Sequence, residues 1–430
     1  MTDDMKRSFL FLVCLASLAL SGMQAQTWHN PQSDGGCHVF GQGWPRSMAG
    51  KYQRLPTDMR SQLGNLFLWN NSLFTSGLYM RFRTDARAIS VRYTLTKSPS
   101  QYAFVSCFGQ AGVDLYARSD DGRTYHWLAP HVGNASFGTP AVANYNNIVP
   151  TNMEGQTVCE YLLYLPSLNG VSSLEVGVNA DAGAFEWIET PEEDEPIVAY
   201  GSATVQGASA SHPGNTWVNI VGRTLDTQML NFGFLGLAKM EQGVFDVMAE
   251  LKAKTFIIDA IPDLIGNPMV ITERVEAGVR ILRAASQCPI LLVESPGLPD
   301  RLIRPDEDAL HTAANACLRQ AYDELHAAGC CNIFYMTQEE LGLTADDFTD
   351  GIDVNDLGMK HYAEAYLKKL AYIEEHKEVV PDGVESLTPN PSPIENGAVY
   401  DLGGRCVPSE AKWSKDIRIV GGKKRLVDRK

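Results

Sequence analysis

The chain contains no CxxC pair and no HExxH motif. The first absence removes the dithiol redox centres and zinc modules that depend on that spacing. The second removes the helix-borne zinc site of the metalloproteases. Basic residues are outnumbered: 36 Lys and Arg stand against 51 Asp and Glu, a formal net charge of -15. A field of that sign repels phosphate backbones and anionic headgroups, so nucleic acid and acidic membrane surfaces are disfavoured as partners. A neutral substrate or a glycan is compatible with it. Charged residues make up only 20% of the chain and hydrophobic ones 44%, which sets it among globular sequences. At 430 residues it has room for two ordinary domains.

No membrane span is expected, because the apolar run at residues 9–20 is too short to cross a bilayer comfortably. It fits an export signal instead. Met5, Lys6 and Arg7 form a basic start, and Gly22 to Ala25 supply small residues before Gln26. Residues 1–25 therefore read as a signal peptide, with a buried N-terminal helix as the alternative. Asp3 and Asp4 are out of place in a basic segment, which leaves Met5 as a second candidate start. Cys14 lacks the preceding small residue of a lipoprotein signal. The expectation is a soluble exported protein, periplasmic, cell-surface or secreted. Export permits disulfides, but Cys37, Cys107, Cys159, Cys288, Cys317, Cys330, Cys331 and Cys406 show no framework spacing. Cys330-Cys331 reads as a helix-to-strand junction.

Residues 26–190 have a period of two. Segments 77–83, 88–93, 113–118, 160–165 and 174–178 alternate apolar and polar, with Asp121-Gly122 as a hairpin signal. Many short strands predict a β-sandwich resembling a jelly roll. An acidic, proline-bounded joint follows at 191–196. Beyond it strands at 197–200, 229–234, 255–260, 289–293 and 332–336 alternate with helices at 217–225, 245–251, 275–285, 309–328 and 359–370. That rhythm predicts an α/β domain over 194–375. It has a three-layer, flavodoxin-like arrangement around a parallel sheet of about five strands, with sites at the carboxyl ends of the strands. Residues 376–396 form a linker containing Thr388-Pro389-Asn390-Pro391-Ser392-Pro393, and 397–430 a short basic β-patterned tail.

At 198–214 the chain reads VAYGSATVQGASASHPG: a strand, a small-residue turn, then Pro-Gly opening a helix. Hydrolase folds present a nucleophilic serine on such a turn, and Ala203 stands there. The stretches YGSATVQGASASHPG, LNFGFLGLAKME, FIIDAIPDL and DGIDVNDLGMKHYAEAY, in that order over 194–375, resemble the four blocks of the SGNH/GDSL hydrolase superfamily. GVDLY at 112–116 is similar to a motif of the branch that carries an N-terminal β-domain. The tail, VYDLGGR followed by IRIVGGKK, resembles a Bacteroidetes C-terminal sorting segment, departing from it at Asp416-Ile417-Arg418.

The resemblance implies a serine nucleophile, a histidine base oriented by an aspartate, and an oxyanion hole made by a glycine N–H and an asparagine side chain. Matched position by position, the serine is Ala203, the glycine Gly236, the asparagine Asp263, the orienting aspartate Asp350 and the histidine Asp353, followed by Val354 where proline is usual. A methyl group cannot attack, a carboxylate repels an oxyanion, and an aspartate cannot replace imidazole near neutral pH without a large pKa displacement. Loss of nucleophile or base in such a triad lowers turnover by on the order of 10⁶. The expectation is a hydrolase fold without hydrolase chemistry, a glycan-associated protein that binds carbohydrate or acylated glycan and needs no cofactor. Tyr116, Tyr125 and Trp127 are candidate exposed aromatics for that role, with sandwich core as the alternative. The competing reading is a carbohydrate acetylesterase-like deacylase with an altered mechanism. For that, Ser202 and Thr204 flank Ala203 but point elsewhere, His212 could reach the pocket mouth but reads rather as a solvent-facing loop residue before Pro213, and His361 reads as packing or surface. Convergence of Asp263, Asp350 and Asp353 would call for a proton or a cation such as Ca²⁺, though the spacing matches no known ligand loop and no metal is expected.

Overall fold

The structure is a computed structural model that describes residues 25–378 other than 100–101, 120–121, 133–134, 150–157, 192–194 and 300, and the strand segments 399–400, 406–407, 416–420 and 423–427. Residues 1–24 of the expected export signal and 379–396 of the expected linker lie outside the described residues. So does most of the tail, in which two short antiparallel pairs are described, Val399–Tyr400 with Cys406–Val407 and Asp416–Val420 with Lys423–Val427. The chain divides into two compact units, one of Met1–Gln53, Phe74–Glu192 and His212–Gly214, the other of Arg54–Leu73, Glu193–Ser211 and Asn215–Lys430.

The first unit holds strands β1 (Gln26–His29), β2 (Val39–Phe40), β3 (Tyr79–Thr84), β4 (Ile89–Leu95), β5 (Val113–Arg118), β6 (Tyr125–His131), β7 (Pro140–Tyr145), β8 (Cys159–Tyr164), β9 (Val171–Asn179) and β10 (Phe185–Trp187). Two antiparallel sheets result, ordered β1-β9-β4-β7 and β10-β3-β8-β5-β6, with β2 beside β3. The period-two pattern sends alternate side chains to opposite faces. Ile89, Val91 and Tyr93 of one sheet, and Met80, Phe82 and Leu163 of the other, enter a single buried core. This is the predicted sandwich.

In the second unit β11 (Ile197–Gly201), β12 (Met229–Gly233), β13 (Thr255–Asp259), β14 (Ile290–Val293) and β15 (Ile333–Met336) form a wholly parallel sheet in the order β12-β11-β13-β14-β15. Every residue of the central strands is buried, as expected when helices cover both faces. Helices α1 (Leu66–Ser72), α2 (Ala203–Gln206), α3 (Trp217–Leu225), α4 (Gln242–Met248), α5 (Ile271–Ala285), α6 (Pro305–Ala327), α7 (Gln338–Leu341) and α8 (Asp356–His376) complete it. Ala199, Ile257 and Leu291 meet Trp217, Val218 and Val221 of α3 and Met359, Tyr362 and Tyr366 of α8 in one core. Tyr200, on the other face, lies edge-on to Phe245 of α4 at 5.7 Å between ring centroids. The segment before α1 is tied to the sheet by buried Arg54, whose Nη1 donates to the carbonyls of Asn231 at 2.9 Å and Gly233 at 2.7 Å. The strand order reverses at β11 and β13, so their carboxyl ends flank the crevice where open α/β sheets bind ligands.

Candidate functional site

Two glycines let the chain turn back tightly at that crevice. Gly201 is paired with Gly233 of β12 and Asp259 of β13. A Cβ on Gly201 would lie 2.1 Å from the Asp259 carbonyl oxygen, and one on Gly233 would lie 2.2 Å from the Gln206 nitrogen. No other residue permits such an approach. Ser202 precedes α2, buries its side chain and donates its N–H to the Asp259 carbonyl at 3.3 Å. The turn is braced by Asn231, whose Nδ2 donates to the Val205 carbonyl at 2.7 Å, and by Gln206, whose Oε1 accepts from the Leu235 N–H at 2.8 Å. Ala203 is therefore the first residue of the helical turn beyond the first parallel strand, and it brings only a methyl group there. Thr204 is buried within the same turn.

The carboxylates expected at the other signature positions stand in one electrostatic neighbourhood. Asp263 follows β13, and its Oδ2 accepts from the Ala238 N–H at 2.8 Å. Burial pushes its carboxyl up to about 7; the charges of Asp353 and Glu241 add to this, and the Ala238 hydrogen bond and Lys239 oppose it. Asp353 is raised to about 6, by burial first and then by the charge of Asp350. Asp259, one turn before Asp263, is fully buried and raised to about 8, again chiefly by burial, although the Tyr366 hydroxyl donates to its Oδ2 at 2.9 Å. Its Oδ1 is buried without a partner. Asp350 accepts from the N–H groups of Ile352 at 3.0 Å and Asp353 at 2.9 Å, so its carboxylate shapes its own loop. Gly236 has φ +70°, with open space where a Cβ would stand.

The arrangement can hold protons near neutral pH, with a methyl group at the expected nucleophile position and a carboxyl at the expected base position. Among the described residues no group of three His, Cys, Asp or Glu side chains is placed to hold a metal ion. His361 sits on α8 with Nδ1 2.8 Å from the buried Asp347 carboxylate, an ion-pair contact without the alignment of a hydrogen bond. His212 departs from its expected solvent-facing role: it is buried, and its Nδ1 lies 2.5 Å from Oδ2 of Asp114. The sequence separation of the pair hides this contact from pattern reading. Of the three aromatics, Tyr116 is buried against Leu162 and Tyr164, Tyr125 packs beside them, and Trp127 is exposed.

A serine–histidine pair lies outside the residues singled out from the sequence. Ser295, two residues beyond β14, places Oγ 2.8 Å from Nδ1 of His311 on α6, and both are buried. Asn315, one helical turn after His311 and so on the same face, accepts from the Ser295 N–H at 2.8 Å and donates to its carbonyl at 3.1 Å. Burial lowers the His311 pKa, against the charges of Asp308 and Glu307, which favours the neutral ring. The one signal in the sequence is a serine just past a parallel strand together with a His and an Asn four apart on the next helix.

Comparison with known proteins accords with this geometry. Residues 194–371 match the family described as GDSL-like lipase/acylhydrolase. Residues 26–183 match the N-terminus of SGNH-hydrolase-type esterases that carries the GxDLY motif. A putative GDSL-like lipase from Bacteroides ovatus superimposes with a TM-score of 0.71 at 24% identity, over 82% of this chain and 98% of that one. The salicylyl-acyltransferase SsfX3 from a tetracycline biosynthetic pathway does so with a TM-score of 0.64 at 16% identity, over the same 82% of this chain and 98% of its own. No curated protein matches the sequence.

Proposed function

Residues 194–371 belong to the GDSL-like lipase/acylhydrolase family, and from that premise we propose that this chain is an exported member that binds carbohydrate or acylated glycan without turning over esters through the family's serine. The observation that carries the reading is Ala203 at the head of α2, beside β13. Asp263 and Asp353 stand where the resemblance implies an amide donor and an imidazole, and burial raises the pKa of both carboxyls. Export is inferred from the tripartite pattern of residues 1–25, and the carbohydrate preference from the negative net charge and an exposed tryptophan.

Hydrolysis of p-nitrophenyl acetate tests the reading. Wild type is expected at the buffer rate. The triple variant Ala203→Ser, Asp263→Asn, Asp353→His restores each missing atom type and is expected to exceed that rate. Wild-type turnover above buffer would overturn the silent reading.

A second reading, a deacylase with an altered mechanism, is favoured by the Ser295–His311 pair, whose 2.8 Å separation is that of an activated nucleophile and its base. Ser295 follows β14, which lies two strands along the sheet from β11, the strand that leads to Ala203. Turnover that disappears in Ser295→Ala would establish this reading. Turnover that survives in Ser295→Ala would exclude it.

A further inference from the structure

The first unit contains a construction that the degraded site does not use. Asp114 of GVDLY is fully buried, and its two oxygens receive three donors. Oδ1 accepts from the Trp127 indole N–H at 2.7 Å; Oδ2 accepts from the Gly214 N–H at 2.9 Å and contacts His212 Nδ1 at 2.5 Å. The imidazole of His212 stacks on Trp127 with ring centroids 4.6 Å apart and planes 13° from parallel. Gly214 is required by this packing, since a Cβ there would lie 2.3 Å from the Tyr116 ring and 2.6 Å from the Asp114 carboxylate. The indole is thus fixed through its N–H and one face, yet Trp127 remains 52% exposed.

The strand that carries Trp127 is distorted beside it. Leu115 pairs with Ala129 and Tyr116 with Trp127, so β6 holds one extra residue, Leu128, at that point. Ala129 has φ +116°, a region that favours glycine. Bulges of this kind re-aim side chains, and strain of this kind persists only where its surroundings enforce it. β6 is also an edge strand of its sheet, so no further strand pairs with its outer backbone edge to hold the bulge in register.

We propose that Trp127 is the contact residue of a carbohydrate-binding face in the first unit, where one neutral pyranose ring stacks on the indole face opposite His212, with His212 and Asp114 as positioning residues. The apolar C–H face of a pyranose matches a rigid, half-exposed indole, which offers contact area at little entropic cost. Nucleic-acid bases also stack on aromatic side chains, but their phosphates meet a chain of net charge -15 and the buried Asp114 carboxylate next to the ring. The inference rests on the carbohydrate reading above and gives it a location.

The test is isothermal titration of the mature chain with cellohexaose and with xylohexaose, with near-UV circular dichroism to verify the fold of each variant. Wild type is expected to bind at least one of the two. Trp127→Ala is expected to weaken binding at least tenfold. His212→Ala is expected to weaken it severalfold, and His212→Phe, which keeps a ring behind the indole, to recover most of the loss. An unchanged affinity in a folded Trp127→Ala variant would overturn this location while leaving the carbohydrate reading intact. Absence of binding by wild type to both oligosaccharides would overturn both. If His212→Ala and His212→Phe are equally weakened, the positioning role of the stack is wrong.

Discussion

Each unit buries acidic side chains, and the two resolve that burial differently. In the first, Asp114 is surrounded by donors: an indole N–H, a backbone N–H and an imidazole converge on its two oxygens. In the second, Asp259 has one donor and one empty oxygen, Asp263 has one backbone N–H, and Asp353 adds a like charge to Asp263. A buried carboxylate needs either hydrogen-bond donors or a proton. The sandwich supplies donors. The parallel-sheet unit supplies a raised pKa at three positions, two of which are those where its family implies an amide and an imidazole.

The largest expected effect follows from removing the acid that is well supplied. Asp114→Ala strands three donors in a buried place. Breaking a buried charged network of this sort costs about 3–5 kcal/mol. Denaturant unfolding should show that loss. A change under about 1 kcal/mol would mean that Asp114 is not the keystone of its unit and would erase the contrast drawn above.

How much of this was legible in the sequence depends on how local the cause is. Alternation in β3 and β4, and the strand–helix rhythm after residue 195, gave both architectures, because period and face are set by neighbouring residues. Helix starts were placed late. The helix over Asp356–His376 was expected from 359, but Asn355 caps it by accepting from the N–H groups of Leu357 and Gly358, and its polar first turn carries no apolar rhythm. Similarly Pro305, Asp306, Glu307 and Asp308 form a first turn suited to the helix dipole that a search for apolar spacing overlooks. Ala203, Asp263 and Asp353 could be placed at strand ends by block order. The partners of His212 and Ser295 could not, since Asp114 lies 98 residues before His212 and His311 sits 16 residues after Ser295 across a loop.

The under-supplied acids should show themselves as pH dependence. Folded-state pKa values of about 8 for Asp259, 7 for Asp263 and 6 for Asp353 lie above the unfolded value of 3.8, so the native state binds more protons between those limits. Stability is then greatest at or below the unfolded value and falls as pH rises from there until each folded value, about 6, 7 and 8, is passed. Each unit of displacement is worth about 1.4 kcal/mol, an upper bound for groups that relax or hydrate. Thermal melts at pH 5.5 and 8.5 should therefore differ by several degrees, with the lower pH more stable. Asp259→Asn, which cannot ionise, should be within about 1 kcal/mol of wild type at about pH 4 and more stable than it at pH 8.5. Equal pH slopes in wild type and Asp259→Asn would show that Asp259 is ionised throughout and that the second unit has solved its burial as the first does.

The smallest effect tests whether the strain beside Trp127 has a purpose. A non-glycine residue at φ +116°, as at Ala129, carries on the order of 1–3 kcal/mol of strain. Glycine removes that strain but loses about 0.5–1 kcal/mol to the greater freedom of the unfolded chain. Ala129→Gly should then stabilise the protein by about 1 kcal/mol in denaturant unfolding. If the bulge serves to aim the indole, the same change should weaken oligosaccharide binding by a few fold, because a glycine lets β6 straighten and the side chain wander. Gain of stability with unchanged binding would mean that the fixed geometry of Trp127 comes from Asp114 and His212 alone. Loss of stability would mean that Ala129 is held by packing that its backbone angle does not reveal.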